Sequence, residues 1–203
     1  MSDKSVYSCV RRLGRPVFTT DETRAISGRS ASAVTQALNY LARQGLIFKV
    51  YRGVWAEAGA ARVSPYMVVP FLFPRQRAYV SFVSALHLHG IIEQIPQVIT
   101  LASTLHTKTL KTTVGVFGVH RIAPYFFKGF DWYKGSGSFL IAEPEKALVD
   151  SLYLSACRKR QFGYFPELHF PKTFSFRKAD GWAKTIANAM VRINVRRKLA
   201  DLK

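Results

Sequence analysis

The chain has 203 residues, 48% of them hydrophobic, enough for one large domain or two modest ones with real apolar cores, so disorder as the overall state is excluded. Thirty lysines and arginines against twelve acidic residues leave a formal charge of +18, a surplus that favours a polyanionic partner, nucleic acid first and an acidic membrane surface second. The longest apolar run, Tyr66 to Phe73, is broken by Pro70 and is far short of the ~20 residues of a spanning helix, and the two cysteines, Cys9 and Cys157, have no disulfide or zinc-knuckle spacing.

No secretory segment is expected after Met1, and a reducing cytoplasm is the expected compartment. Composition shifts at residues 56–65, "AEAGAARVSP", which predicts a domain boundary between residues 1–62 and 63–203. Both parts are basic, with ten Lys and Arg against four acids before the boundary and twenty against eight after it.

Residues 4–13, "KSVYSCVRRL", read as a helix with Val6, Val10 and Leu13 on one side, closed by Gly14 and Pro16. In "TTDETRAISG", residues 19–28, Thr20 is the expected N-cap of a short helix. Asp21 and Glu22 suit its dipole, Gly28 ends it, and Ala25 and Ile26 are expected to face inward. The next run, "RSASAVTQALNYLARQG", reads as a longer helix capped by Ser30 and stopped by Gly45. At 3.6 residues per turn its faces separate: Val34, Ala37, Leu38 and Leu41 inward, Ser32, Gln36, Asn39 and Arg43 outward, Thr35 and Tyr40 at the margins. No member of the outer stripe is acidic, and Gln, Asn and Arg carry the paired donors and acceptors that match base edges in the major groove. After Gly45 the period becomes that of a strand, "LIFKVY", which turns at Arg52 and Gly53 and returns through "VWAEA". Lys49, Tyr51 and Arg52 at the hairpin tip suit the sugar-phosphate backbone or the adjacent minor groove. Helix, short helix, polar-faced helix and hairpin in this order predict a winged helix-turn-helix that reads double-stranded DNA. The plainer alternative, a protein-docking module with Arg29, Ser32 and Gln36 as a solvated face, fits the charge less well.

Further on, residues 78–96 predict a helix with Ser81 as N-cap that ends at His89 and Gly90, followed by strands in "QVITLAS" and "TTVGVFGVHRIA". "GSGS", residues 135–138, marks a loop. "FLIAEPEKALVDSLYLSAC" reads as a strand, Pro144 in the first helical turn, and a helix apolar almost all round and therefore buried. The expected fold class is α+β, with a sheet partly covered by helices in the second domain.

His87 and His89 lie two apart, so on a helix they point in different directions and are expected to be core or capping histidines, not ligands; no metal and no cofactor are expected. Glu93, Glu143, Glu145, Lys146 and Asp150 contain the residue types of a nuclease, but three of them share one helix, where a dipole or ion-pair role suffices. No phosphate loop or nucleophile elbow is present, and no enzymatic activity is expected. Residues 181–203 wind into a helix with two stripes, Trp182, Ile186, Met190 and Ile193 on one side and Val191, Val195, Leu199 and Leu202 on the other. One is expected to cover the core and the second to face another subunit, as two-fold operators would require. Arg192, Arg196, Arg197 and Lys198 interleave with them as solvated charge or further phosphate contacts.

"YVSFVSALHLHGIIEQIP" with "VITLAS", and "FLIAEPEKALVDSLYL", resemble the signatures of the AbiEi-type antitoxin family of abortive-infection phage defence, the antitoxins of type IV toxin-antitoxin systems. The resemblance runs from the winged helix at residues 4–57 to about residue 154. It implies a winged-helix DNA-binding domain, then a separate α/β antitoxin-type domain. It further implies a transcriptional repressor that binds inverted repeats in its own promoter, and that counteracts a nucleotidyltransferase-like toxin without a stable complex. On this reading Ser32, Thr35, Gln36 and Asn39 read bases from a helix begun by Ser30, Arg29, Arg43, Lys49 and Arg52 hold phosphates, Tyr51 supports them, and a homodimer on DNA is an expected partner state. A competing expectation is a ligand-sensing regulator in which Phe71, Phe73, Tyr125, Phe126, Phe127 and Trp132 enclose a small effector.

Overall fold

Three short helices and a three-stranded sheet make the first part of the chain: α1 (Val6–Arg12), β1 (Val17–Thr19), α2 (Thr20–Ser27), α3 (Ala31–Arg43), β2 (Ile47–Tyr51) and β3 (Val54–Glu57). The computed structural model describes residues 5–59, 63–135, 137–157 and 165–203. Lys4 at the start of the first predicted helix, residues 60–62 at the predicted boundary and Ser136 of the predicted loop lie outside the described residues.

Thr19, not Thr20, caps α2. Its hydroxyl accepts from the Glu22 amide at 3.2 Å while the Glu22 carboxylate accepts from the Thr19 amide at 2.8 Å, a reciprocal box that the three-residue Thr-to-Glu spacing favours. Thr20 is thereby the first helical residue. Ala25 and Ile26 are exposed, against expectation, because the inward face of this eight-residue helix passes through Thr23, which is fully buried and donates to the Thr19 carbonyl at 3.0 Å. Gly28 ends α2 at φ 67°, and the Ser30 hydroxyl caps α3 by accepting from the Ala33 amide at 3.3 Å.

Val34, Leu38 and Leu41 of α3 pack with Val6, Val10, Phe18, Ile47 and Trp55 into one core, with Ala37 and Leu13 half-buried against it. The sheet order is β1-β3-β2, antiparallel throughout. β1 was not legible in the sequence, since three residues are too few to show an alternation. Lys49 pairs with Trp55 and Tyr51 with Val54, which leaves Val50 as an extra residue in a bulge beside the Gly53 turn. A 3-10 turn, Pro65–Val68, then runs into α4 (Val69–Leu72).

The second sheet is mixed, in the order β6-β7-β5-β4-β9-β8, built from β4 (Ala78–Val80), β5 (Val98–Ser103), β6 (Lys108–Thr112), β7 (Gly115–Arg121), β8 (Phe130–Trp132) and β9 (Leu140–Ala142). Helices α5 (Phe82–Leu88), α6 (Pro144–Ala156), α7 (Phe176–Lys184) and α8 (Ala189–Ala200) complete it, α6 packing against the other three. Pro144 opens α6, and every residue from Glu145 to Leu152 is buried, as an all-round apolar helix requires.

Two expectations are corrected here. "TTVGVFGVHRIA" holds the end of β6, a tight turn and β7 in place of one strand, because β6 is short and lysine-bearing and only its last residue, Thr112, falls within this run. The single helix expected over residues 181–203 is two helices, broken where the Asn188 side chain caps α8 by accepting from the Val191 amide at 3.1 Å. The break dissolves the first stripe, in which Ile186 is buried while Met190 and Ile193 are 69% and 60% exposed; in the second, Val195 and Leu199 are buried.

Among the described residues the architecture is mixed α+β, eight α-helices and two sheets, and no helix is long and apolar enough to cross a membrane. The chain divides into two compact units, Met1–Pro74 with Lys111–Gly115, and Arg75–Leu110 with Val116–Lys203. The compositional boundary at residue 62 therefore falls before α4, whose Phe71 ring lies 5.0 Å beneath the Arg15 guanidinium within the first unit.

Candidate nucleic-acid interface

Helix α3 is held by its apolar stripe, and so its opposite face is free to meet a partner. Ser32, Gln36, Asn39 and Arg43 are all exposed and fall within about 60° of arc at 100° per residue. The Ser32, Gln36 and Asn39 side chains make no hydrogen bond to the described residues. Thr35 is exposed as well, but its hydroxyl donates to the Ala31 carbonyl at 2.8 Å, and Ser30 is engaged as the cap. Both serve the helix itself, which leaves the Ser32, Gln36 and Asn39 side chains unengaged on this face. Tyr40, 56% exposed, stands one turn beyond Gln36 on the same face. Sequence reasoning left it at the margin, although the i, i+4 spacing from Gln36 was the available signal.

The hairpin tip is fixed to the start of α2. The Thr20 amide donates to the Gly53 carbonyl and the Trp55 indole Nε1 donates to the Thr20 hydroxyl, each at 2.9 Å. Arg52 and Lys49 are exposed, and the Lys49 ammonium sits 5.5 Å from the centre of the Trp55 ring, a cation-π contact worth about 0.5–1 kcal/mol at an exposed site. Tyr51 and Arg29 are half-buried.

Charge is distributed unevenly over this unit. Its described acids each have a cation: Asp21 with Arg24 at 4.0 Å, Glu57 with Arg11 at 3.7 Å, and Glu22 with Arg15. Arg43, Lys49 and Arg52 have no carboxylate within ion-pair distance among the described residues. The outer face of α3 and the hairpin tip thus each carry un-neutralised cations, with Ser, Gln, Asn and Tyr beside Arg43 on α3.

In the second unit the other candidate residues scatter. His87 Nδ1 lies 3.3 Å from the Ile92 carbonyl and His89 Nε2 lies 2.8 Å from the Ala142 carbonyl, so the two rings have separate backbone partners. Lys146 and Asp150 form a fully buried ion pair one turn apart on α6. Asp150 also accepts from the Tyr79 hydroxyl at 3.0 Å and the Ser81 hydroxyl at 2.7 Å, which is why Ser81 makes no side-chain cap to α5. The Lys146 ammonium lies 3.9 Å from the Phe126 ring centre. Burial pulls its pKa below the usual lysine value despite Asp150, and burial, then Asp150, pushes Tyr79 well above the usual tyrosine value. Glu143 and Glu145 share Lys178 at 3.0 and 3.5 Å, while Glu93 is exposed. The aromatic set expected around an effector does not gather: Phe71 and Phe73 belong to the first unit, and Tyr125 and Trp132 are 44% and 56% exposed. A half-open cleft of about 420 Å³ does exist in the second unit, lined by Val83, Ile95, Val98, Thr100 and His120 and by none of those aromatics.

No family model matches the chain, and no curated protein matches it; the resemblance to AbiEi-type antitoxins rests on the quoted segments alone.

Proposed function

We propose that the first unit is a winged helix-turn-helix that binds double-stranded DNA, with α3 in the major groove and the β2–β3 hairpin as the wing. The observation that carries this reading is the acid-free, outward face of Ser32, Gln36, Asn39 and Arg43, together with a hairpin tip whose cations face no carboxylate among the described residues. Gln36 and Asn39 read base edges, with Ser32 and Tyr40 flanking them; Arg43, Lys49 and Arg52 neutralise phosphates. The chain acts as a repressor at inverted repeats upstream of its own gene, as a pair of copies, and as the antitoxin to a nucleotidyltransferase-like toxin that it counteracts without a stable complex. This second half of the proposal is supported by the likeness of the α5, β5 and α6 segments to AbiEi-type antitoxins. The cleft beside His120 supports a second reading, a regulator released from DNA by a small apolar effector, since its volume lies within the ~300–1,000 Å³ range of ligand sites.

The test is a salt-titrated mobility shift on the duplex upstream of the gene and on a random duplex. Gln36→Ala or Asn39→Ala is expected to cost about 1–3 kcal/mol on the upstream duplex and to leave random-duplex binding intact. Equal losses on both would remove base reading from α3.

A further inference from the structure

Residues Lys111–Gly115 lie more than fifty positions beyond the hairpin in sequence, yet they cluster with the first unit. The Thr113 amide donates to the Val50 carbonyl at 3.3 Å and the Thr113 hydroxyl donates to the Lys49 carbonyl at 3.0 Å. Both acceptors belong to β2, which has a neighbour on one side only in the order β1-β3-β2. The turn therefore occupies the open edge of the hairpin at its bulge, where unpaired carbonyls would otherwise face solvent. The turn is itself braced. Its Thr112 hydroxyl donates to the Gly115 carbonyl at 2.8 Å and accepts from the Val114 amide at 3.3 Å. A Cβ placed on Gly115 would stand 3.6 Å from Pro65, so the turn is in contact with the 3-10 segment on its far side.

Lys111 enters this turn exposed and with no carboxylate partner among the described residues. Two residues of extended chain, about 7 Å, separate its Cα from that of Thr113, and Thr113 is hydrogen-bonded to the backbone of Lys49. Lys111 and Lys49 are thereby carried on neighbouring segments of one hairpin edge. We infer that Lys111 is a further phosphate-contacting residue, and that the Lys111–Gly115 turn is a third segment of the DNA surface after α3 and the hairpin. This rests on the DNA-binding reading above and extends it to a part of the chain that composition assigned to the other domain.

The test uses the full-length chain and the same two duplexes. Lys111→Gln is expected to lower the slope of log affinity against log salt by about one unit on both duplexes alike, as loss of one phosphate contact does. Lys111→Arg should keep the slope, and Lys172→Gln, exposed in the second unit, should leave it unchanged. A Lys111→Gln slope equal to wild type, with Arg52→Ala still lowering it, overturns the inference and leaves DNA binding standing. Wild-type protein that binds neither duplex in a salt-dependent way overturns both.

Discussion

Asp150→Asn keeps the shape of the side chain and removes the carboxylate paired with Lys146 in the core of the second unit. Both groups are fully buried, and the Tyr79 and Ser81 hydroxyls already donate to the same oxygen of Asp150. An asparagine amide would turn an N–H toward the ammonium or toward those donors. With no counterion, Lys146 can escape only by losing its proton. From an ordinary lysine value of 10.5, that costs about 5 kcal/mol at pH 7, at 1.36 kcal/mol per unit. This caps the damage, and breaking a buried pair by removing one partner is expected to cost about 3–5 kcal/mol. With a urea slope of about 2 kcal/mol/M, the midpoint falls by roughly 2 M. A urea titration followed by tryptophan emission measures it, since Trp182 lies beside Lys146, with 5.9 Å between the ammonium and the ring centre. The double variant Lys146→Met with Asp150→Leu removes both charges and should recover most of the loss, because the penalty lies in the unpaired charge. A cost below about 1 kcal/mol for Asp150→Asn, or a double variant no better than the single one, would refute the account.

Thr19→Ala should cost about 1 kcal/mol by opening the capping box of α2. A melting curve unchanged by that substitution would show the box to be unimportant. Arg52→Ala should weaken binding to specific and random duplexes equally and flatten the salt slope by about one unit; loss on the upstream duplex alone would move Arg52 from the phosphates to the bases. Tyr153 is pushed up to about 12, by burial first and then by Cys157 and Tyr125 beside it. Because its folded value lies above the unfolded value of about 10, its contribution to stability is complete below that pH and is lost as pH rises toward 12. Ultraviolet titration of the native protein should show one late phenol fewer in Tyr153→Phe, Tyr79 staying late in both. Superimposable curves would contradict it.

The candidate interface was largely legible in the sequence because it is local. The two faces of α3, the Ser30 cap, the Gly28 stop and the Gly53 turn all follow from contacts within one or two turns of chain. Burial of α6 was legible for the same reason, since an all-round apolar helix has nowhere else to go. What the periodicity could not supply was which polar groups are already engaged. Thr35 looks like a reader in the sequence and bonds its own helix in the fold, while Tyr40 looks marginal and stands in the open.

Local signals alone therefore determined where α1, α2, α3, α5, α6 and the hairpin lie and which side of α3 is polar. Only the tertiary structure decided that Asp150 collects Lys146, Tyr79 and Ser81, residues up to 71 positions apart, and that Lys111–Gly115 closes the edge of a hairpin formed sixty residues earlier. The reason is physical. Helical period, caps and turn glycines act between neighbours in the chain and leave their mark in composition. A buried ion pair or a covered strand edge depends on which distant segments meet after the chain has closed, and neither partner carries a sign of the other in its own neighbourhood.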